Sequence, residues 1–117
     1  MRKTYCFDLD DTICYPNHEY NDTQRRYLEA KPNNIVIDKI NILHDLGNEI
    51  IIFTARRMIT HNGDIKKIKA DVELITINWL KKYKVNYDRL LFGKPYADFY
   101  IDDKAILFNY NWNYVCH

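Results

Sequence analysis

The sequence predicts an α/β fold with a mostly parallel sheet and right-handed crossovers, and three observations carry that expectation. Apolar runs of strand length alternate with amphipathic helical stripes. Each apolar run ends abruptly in polar or charged residues. No repeat, low-complexity tract or Pro/Gly/Ser-rich linker breaks the alternation, so one domain is expected over residues 1–117.

Thr4 to Leu9 is a short apolar run that passes into carboxylates, a strand delivering Asp side chains at its C-terminal end. Residues 13–33 are polar and tyrosine-rich and carry Pro16 and Pro32, so they read as a loop with one helical turn. From Asn34 to Leu46, Val36, Ile40 and Leu43 form a helical stripe flanked by Ile37 and Leu46, and Gly47-Asn48 stops it. Glu49 to Thr54 is a continuous apolar run of the kind buried on both faces of a parallel sheet. Ile65, Ile68, Val72, Ile75 and Trp79 recur at steps of three and four, the inward stripe of a helix from about Asp64 to Tyr83. Arg89 to Phe92 and Phe99 to Ile101 read as short strands, followed by Gly93-Lys94-Pro95 and Asp102-Asp103.

Seventeen basic against sixteen acidic side chains give a formal charge of +1, and 47% apolar with 28% charged residues is ordinary globular composition. That balance argues against disorder, and with no basic cluster neither a nucleic-acid footprint nor a polybasic membrane surface is expected. The run Ile50 to Phe53 is far short of a membrane span, and no signal-peptide core follows Met1-Arg2-Lys3. Three cysteines, Cys6, Cys14 and Cys116, cannot all pair and lack metal-ligand spacing, which fits a reducing cytoplasm and small buried or bystander thiols.

The residues that look chemical fall at strand ends, where open α/β sheets bind ligands. In Asp8-Leu9-Asp10-Asp11-Thr12, the acids two apart in an extended segment face one side. Two close carboxylates repel, and a buried pair needs a shared proton or a cation. A hard divalent ion with oxygen ligands, Mg²⁺ above all, meets that need. Thr54 ends the middle strand, where its hydroxyl and the following N–H groups can hold phosphoryl oxygens. Lys94 puts a point charge on a stiff Gly-Lys-Pro turn, and Asp102-Asp103 adds acids to the same rim. Singly these have plainer readings: a capping Asp and Thr, an N-cap hydroxyl, a solvated lysine, a turn. Together, and in this order, they read as a phosphoryl-transfer site.

These four motifs resemble those of the haloacid dehalogenase superfamily of phosphohydrolases, over residues 3 to about 106. Thr54-Ala55-Arg56-Arg57-Met58-Ile59-Thr60, Gly63, the Trp79-Leu80 helix, Gly93-Lys94-Pro95 and Tyr100-Ile101-Asp102-Asp103 further resemble the short, capless phosphatases encoded in capsule and surface-polysaccharide clusters. The resemblance implies a Rossmann-like three-layer core without a substantial cap. It implies Asp8 as the nucleophile forming an aspartyl-phosphate, Asp10 as general acid and base, and Thr54 and Lys94 as phosphate ligands. Mg²⁺ would sit on the Asp8 carboxylate, the Asp10 carbonyl and Asp102, with Asp103 adjacent or through water. Asp11 stands where the superfamily often has Gly, and a turn tolerates Asp nearly as well.

About twenty residues, Ile13 to Asn33, are available where relatives insert a cap, and a segment below about 40 residues seldom folds alone. The site is therefore expected to be open, or closed by residues 13–33 or by the neighbouring subunit of a homo-oligomer. Arg56, Arg57 and His61 are the candidate contacts to the rest of a small phosphorylated substrate, with a phosphosugar or related polysaccharide precursor as the implied class. A nucleotidase or polynucleotide phosphatase is the enzymatic alternative. Residues 109–114, rich in Asn and aromatics, read as an edge strand, a subunit contact or a tail. A receiver-like phosphoacceptor domain is disfavoured because its acceptor Asp would end the middle strand, where Phe53-Thr54-Ala55 stands. A catalytically silent binding fold is disfavoured by the presence of both Asp8 and Asp10.

Overall fold

A computed structural model describes residues 2–108. Thr4–Asp8 forms β1, Glu49–Thr54 forms β4 and Arg89–Phe92 forms β5, and the three make one parallel sheet in the order β1-β4-β5. Between β1 and β4 lie β2 (Cys14–Tyr15), α1 (Thr23–Leu28), β3 (Lys31–Pro32) and α2 (Asn34–Asp45); α3 (Ile65–Lys82) connects β4 to β5. The register sets Asp8 beside Phe53 and Thr54 beside Phe92, so the three strands end together at one edge. The α/β class and the parallel Rossmann-like core follow from this arrangement.

Each long helix starts where a side-chain oxygen meets an orphan N–H. Asn33 Oδ1 accepts from the Val36 N–H at 3.3 Å before α2, and Asp64 Oδ1 accepts from the Lys67 N–H at 3.3 Å before α3. Beyond α2, Gly47 takes the left-handed conformation, φ 94°, that ends a helix cheaply. Six β-branched residues in α3 each cost up to roughly 0.7 kcal/mol of helix propensity. Burial of Ile68 and Val72 alone, at roughly 1.5–3 kcal/mol each, offsets that. The buried face differs from the predicted stripe: Ile68, Val72 and Trp79 are inside as expected. Thr76 and Leu80 complete the face, while Ile65 is exposed and Ile75 half-buried. The reason is a division of labour along the helix. Its first half packs on Tyr27 and Phe92, and its second half enters the main core.

That main core gathers Val36, Ile37, Ile40 and Leu43 of α2 with Ile50 and Ile52 of β4 and Trp79 and Leu80 of α3. Along β4, Ile50, Ile52 and Thr54 are buried whereas Ile51 and Phe53 are half-buried, so among the described residues burial is complete on one face only.

Two further expectations change. Residues 13–33 are more ordered than a loop: β2 and β3 pair antiparallel, and α1 begins with Asp22 Oδ1 accepting from the Gln24 N–H. The Trp79 indole N–H donates to the Ala30 carbonyl at 2.9 Å, and Tyr27 packs with Ile68, Val72 and Phe92, which clamps the segment on α3. Phe99 to Ile101 is not a strand, and Phe99 and Ile101 are 85% and 98% exposed. Local bonds bend this stretch: the Tyr100 hydroxyl donates to the Pro95 carbonyl at 2.6 Å and accepts from the Ala97 N–H at 3.3 Å. Among the described residues no helix is long and apolar enough to cross a membrane. The segment 109–114 lies outside the described residues.

Candidate active site

The edge where β1, β4 and β5 end holds a cavity of about 360 Å³. Asp8, Asp10, Asp11, Thr54, Arg56 and Arg57 line it together with Tyr27, Met58, Ile59, Tyr96 and Tyr100. Past Asp8 the chain turns sharply: the Leu9 carbonyl accepts from Ile13 N–H at 2.8 Å, and the Asp11 N–H donates to the Cys14 carbonyl at 2.7 Å. Asp11 adopts φ 65°, a left-handed conformation that suits Gly best and that Asp enters at modest cost.

Thr54 is buried; its Oγ1 accepts from the Arg56 N–H at 3.1 Å and its carbonyl from the Lys94 N–H at 3.1 Å. The Lys94 ammonium lies 3.5 Å from Asp8 Oδ1 and 4.2 Å from the centre of the Tyr100 ring. Burial pushes the Asp8 carboxyl above the usual carboxylate range, and Lys94 pulls it part of the way back.

Arg56, expected to reach outward to substrate, points inward instead. Its side chain is 1% exposed and binds the Asp10 carboxylate through Nε and Nη2. Nη1 donates to Thr76 Oγ1 at 2.9 Å, and the guanidinium lies 4.1 Å over the Tyr27 ring. Burial works against its charge, but Asp10 more than offsets this and raises its pKa. The cause is burial: a guanidinium shielded from water must find a carboxylate, and Asp10 is the one brought to it.

Arg57 and His61 are paired within the protein. Both contact Asp71 Oδ2, Arg57 Nε at 2.9 Å and His61 Nε2 at 2.8 Å. Partial burial works to raise the Asp71 carboxyl, but hydrogen bonds from His61 and Arg57 outweigh it and hold it below the usual range. Arg57 still lines the cavity and His61 does not. Asp71, Tyr27 and Thr76 were missed by sequence reasoning. Only the position of Thr76 beside the α3 stripe hinted at burial, and nothing hinted at its partner. Burial, with Asp10 alongside, pushes the Cys14 thiol up, as expected of a bystander cysteine.

Asp102 and Asp103 are exposed and do not line the cavity, and Asp102 Oδ1 accepts from the Lys104 N–H at 2.8 Å in a local turn. Among the described residues no group of three or more His, Cys, Asp or Glu is placed to hold a metal. The fit to Mg²⁺ is therefore partial. The Asp8 carboxylate and the Asp10 carbonyl are hard oxygens of the right kind, and the further carboxylates are not brought to them.

No family model matches the chain, and no curated protein matches it. Among solved structures, chains of the Pnkp1/Rnl/Hen1 RNA repair complex are 21% and 20% identical, with TM-scores of 0.56 and 0.57. They cover 78% and 87% of this chain, which spans only 25% and 30% of theirs, a likeness of fold alone. A crystal structure of a Vibrio cholerae protein is 38% identical with a TM-score of 0.77, over 91% of this chain and 83% of that one. At that identity and coverage, the chain belongs to the same family as the Vibrio cholerae protein.

Proposed function

We propose that the protein is a phosphomonoesterase of the haloacid dehalogenase type, working through an aspartyl-phosphate on Asp8. The observation that carries the reading is the Lys94–Asp8 contact of 3.5 Å at an edge also occupied by Asp10 and Thr54. An Asp8 oxygen attacks phosphorus while the bond to the leaving oxygen breaks, and Asp10 gives that oxygen a proton. Asp10 then takes a proton from water as the water oxygen attacks the same phosphorus. The aspartyl–phosphorus bond breaks, and phosphate and the starting carboxylate are restored. Thr54 and Lys94 bind the transferring group, and Lys94 meets the charge on its oxygens. Mg²⁺ belongs to this reading: the Asp8 carboxylate and the Asp10 carbonyl would hold it and it would neutralise phosphoryl charge, while Asp102 and Asp103 stand outside the cavity.

The substrate is a small phosphorylated metabolite, with a phosphosugar of surface-polysaccharide synthesis as the first candidate. The near-neutral charge, which weakens a nucleic-acid substrate, supports it. A nucleotide or polynucleotide end is the second reading, favoured by Tyr96 and Tyr100 beside the cavity and by the fold shared with RNA repair chains. The test is phosphate release from sugar phosphates, nucleotides and end-phosphorylated oligonucleotides, with Mg²⁺ and with EDTA, beside Asp8→Asn. Release that requires metal and vanishes in the variant supports the mechanism, and the rank order chooses the class. Undiminished release by Asp8→Asn refutes it.

A further inference from the structure

The two oxygens of Asp10 are held very differently. Oδ1 takes Arg56 Nη2 at 2.8 Å, Arg56 Nε at 3.1 Å and the Cys14 thiol at 3.4 Å, whereas Oδ2 takes only Arg56 Nε at 2.9 Å. The guanidinium that imposes this is itself fixed. Thr76 Oγ1 donates to the Val72 carbonyl at 2.7 Å, so its lone pair is aimed at Arg56 Nη1. The Tyr27 ring covers the guanidinium face, and Nη2 also reaches Cys14 Sγ at 3.5 Å. A buried ion pair is a poor route to stability, because desolvation consumes most of the attraction. What a planar two-point pair does supply is orientation.

We propose that Arg56 is the positioning residue for Asp10: it holds both oxygens, with three donors crowded on Oδ1 and one on Oδ2, so that Oδ2 keeps the lone pair that exchanges protons with the leaving group and with water. With its side chain 1% exposed and paired to Asp10, Arg56 acts through that carboxylate. Thr76 and Tyr27 hold it in turn, so the reach of Asp10 is set from α3 and from the 13–33 segment. This inference rests on the phosphatase reading given above.

A leaving group that needs no proton separates positioning from mere structure. The esters are a phosphosugar, whose alkoxide must be protonated, and p-nitrophenyl phosphate, whose phenolate leaves unaided. In Arg56→Lys, which keeps the charge but not the planar pair, phosphosugar turnover falls by about 10²–10⁴-fold, the usual worth of general acid–base catalysis. With p-nitrophenyl phosphate the first burst of nitrophenolate persists while steady-state turnover slows, because the attacking water still needs Asp10. Thr76→Val, which only loosens the guanidinium, shows the same split with a fall of roughly tenfold. Circular dichroism and melting confirm that both variants are folded. Burst and steady state falling together in folded Arg56→Lys, or neither falling, overturns the inference while Asp8→Asn remains inactive. Turnover that survives Asp8→Asn, or a wild type that turns over neither ester, overturns the parent reading and this one with it.

Discussion

Lys94 reaches Asp8 across an intervening strand: the two belong to the ends of β5 and β1, and β4 lies between them. Gly93 makes this geometry possible. Its φ of 97° turns the chain back over β4, where the Lys94 N–H docks on the Thr54 carbonyl at 3.1 Å. The ammonium then lies 3.5 Å from Asp8 Oδ1.

Burial dominates the environment of Asp8 and raises its pKa, so the native state holds that proton more tightly than the unfolded chain does. The associated stability is present at low pH and is lost as pH rises through the raised value. At neutral pH the ionised carboxylate is therefore a burden on the fold. Asp8→Asn is expected to raise the melting temperature in EDTA at pH 7. Millimolar Mg²⁺ is expected to raise that of the wild type and not that of the variant, since the ion binds only the folded state. Thermal shift assays with and without the metal check both. A lower melting point for the variant in EDTA means that the Lys94 pairing outweighs desolvation.

Asp71 has the opposite sign. Its native carboxyl is held below the usual range by His61 and Arg57, so its contribution is present above the unfolded value of about 3.9 and is lost as pH falls through the lower native value. Asp71→Asn should melt below the wild type at pH 7, and the gap should close as acidification carries the pH down through the lowered native value. A gap independent of pH would show that packing, not charge, accounts for the loss.

Gly93→Ala combines two penalties. A Cβ there would stand 2.5 Å from Ile65 Cδ1, and φ 97° is strained for any L side chain. Ile65 is partly exposed and can move, so the backbone penalty of about 1–2 kcal/mol decides the outcome. That corresponds to a fall in melting temperature of roughly 4–8 °C or more. Under the proposed function a larger proportional loss of activity is also expected, because Lys94 follows directly. An unchanged melting temperature would contradict the φ assignment.

Trp79→Phe keeps most of the apolar ring and removes the indole donor to Ala30, a residue that is itself buried. Leaving that carbonyl unsatisfied should cost about 1–3 kcal/mol. Loss of the clamp should also speed tryptic cleavage at Arg25 and Arg26 in α1. Denaturant unfolding followed by circular dichroism, with timed digestion, measures the two effects. Cleavage at the wild-type rate would mean that Tyr27 packing alone holds the segment.

β1, α2, β4, α3 and β5 are legible in the chain, because each is written in local periodicity and local stop signals such as Gly47. So is the shared edge of Asp8, Thr54 and Lys94, since parallel strands bring their C-terminal ends together whatever the details of packing. The pairing of Arg56 with Asp10 is not legible in the chain. Asp10 lies on another strand's exit, and the parallel β1–β4 register, not any spacing in the chain, sets the two side by side. The same holds for Asp71, whose pairing with Arg57 and His61 depends on how α3 docks. Phe99–Ile101 shows the converse. Its strand-like composition is local, but a strand needs a partner, and in the structure the Tyr100 bonds to Pro95 and Ala97 bend it instead, which leaves Asp102 and Asp103 outside the cavity.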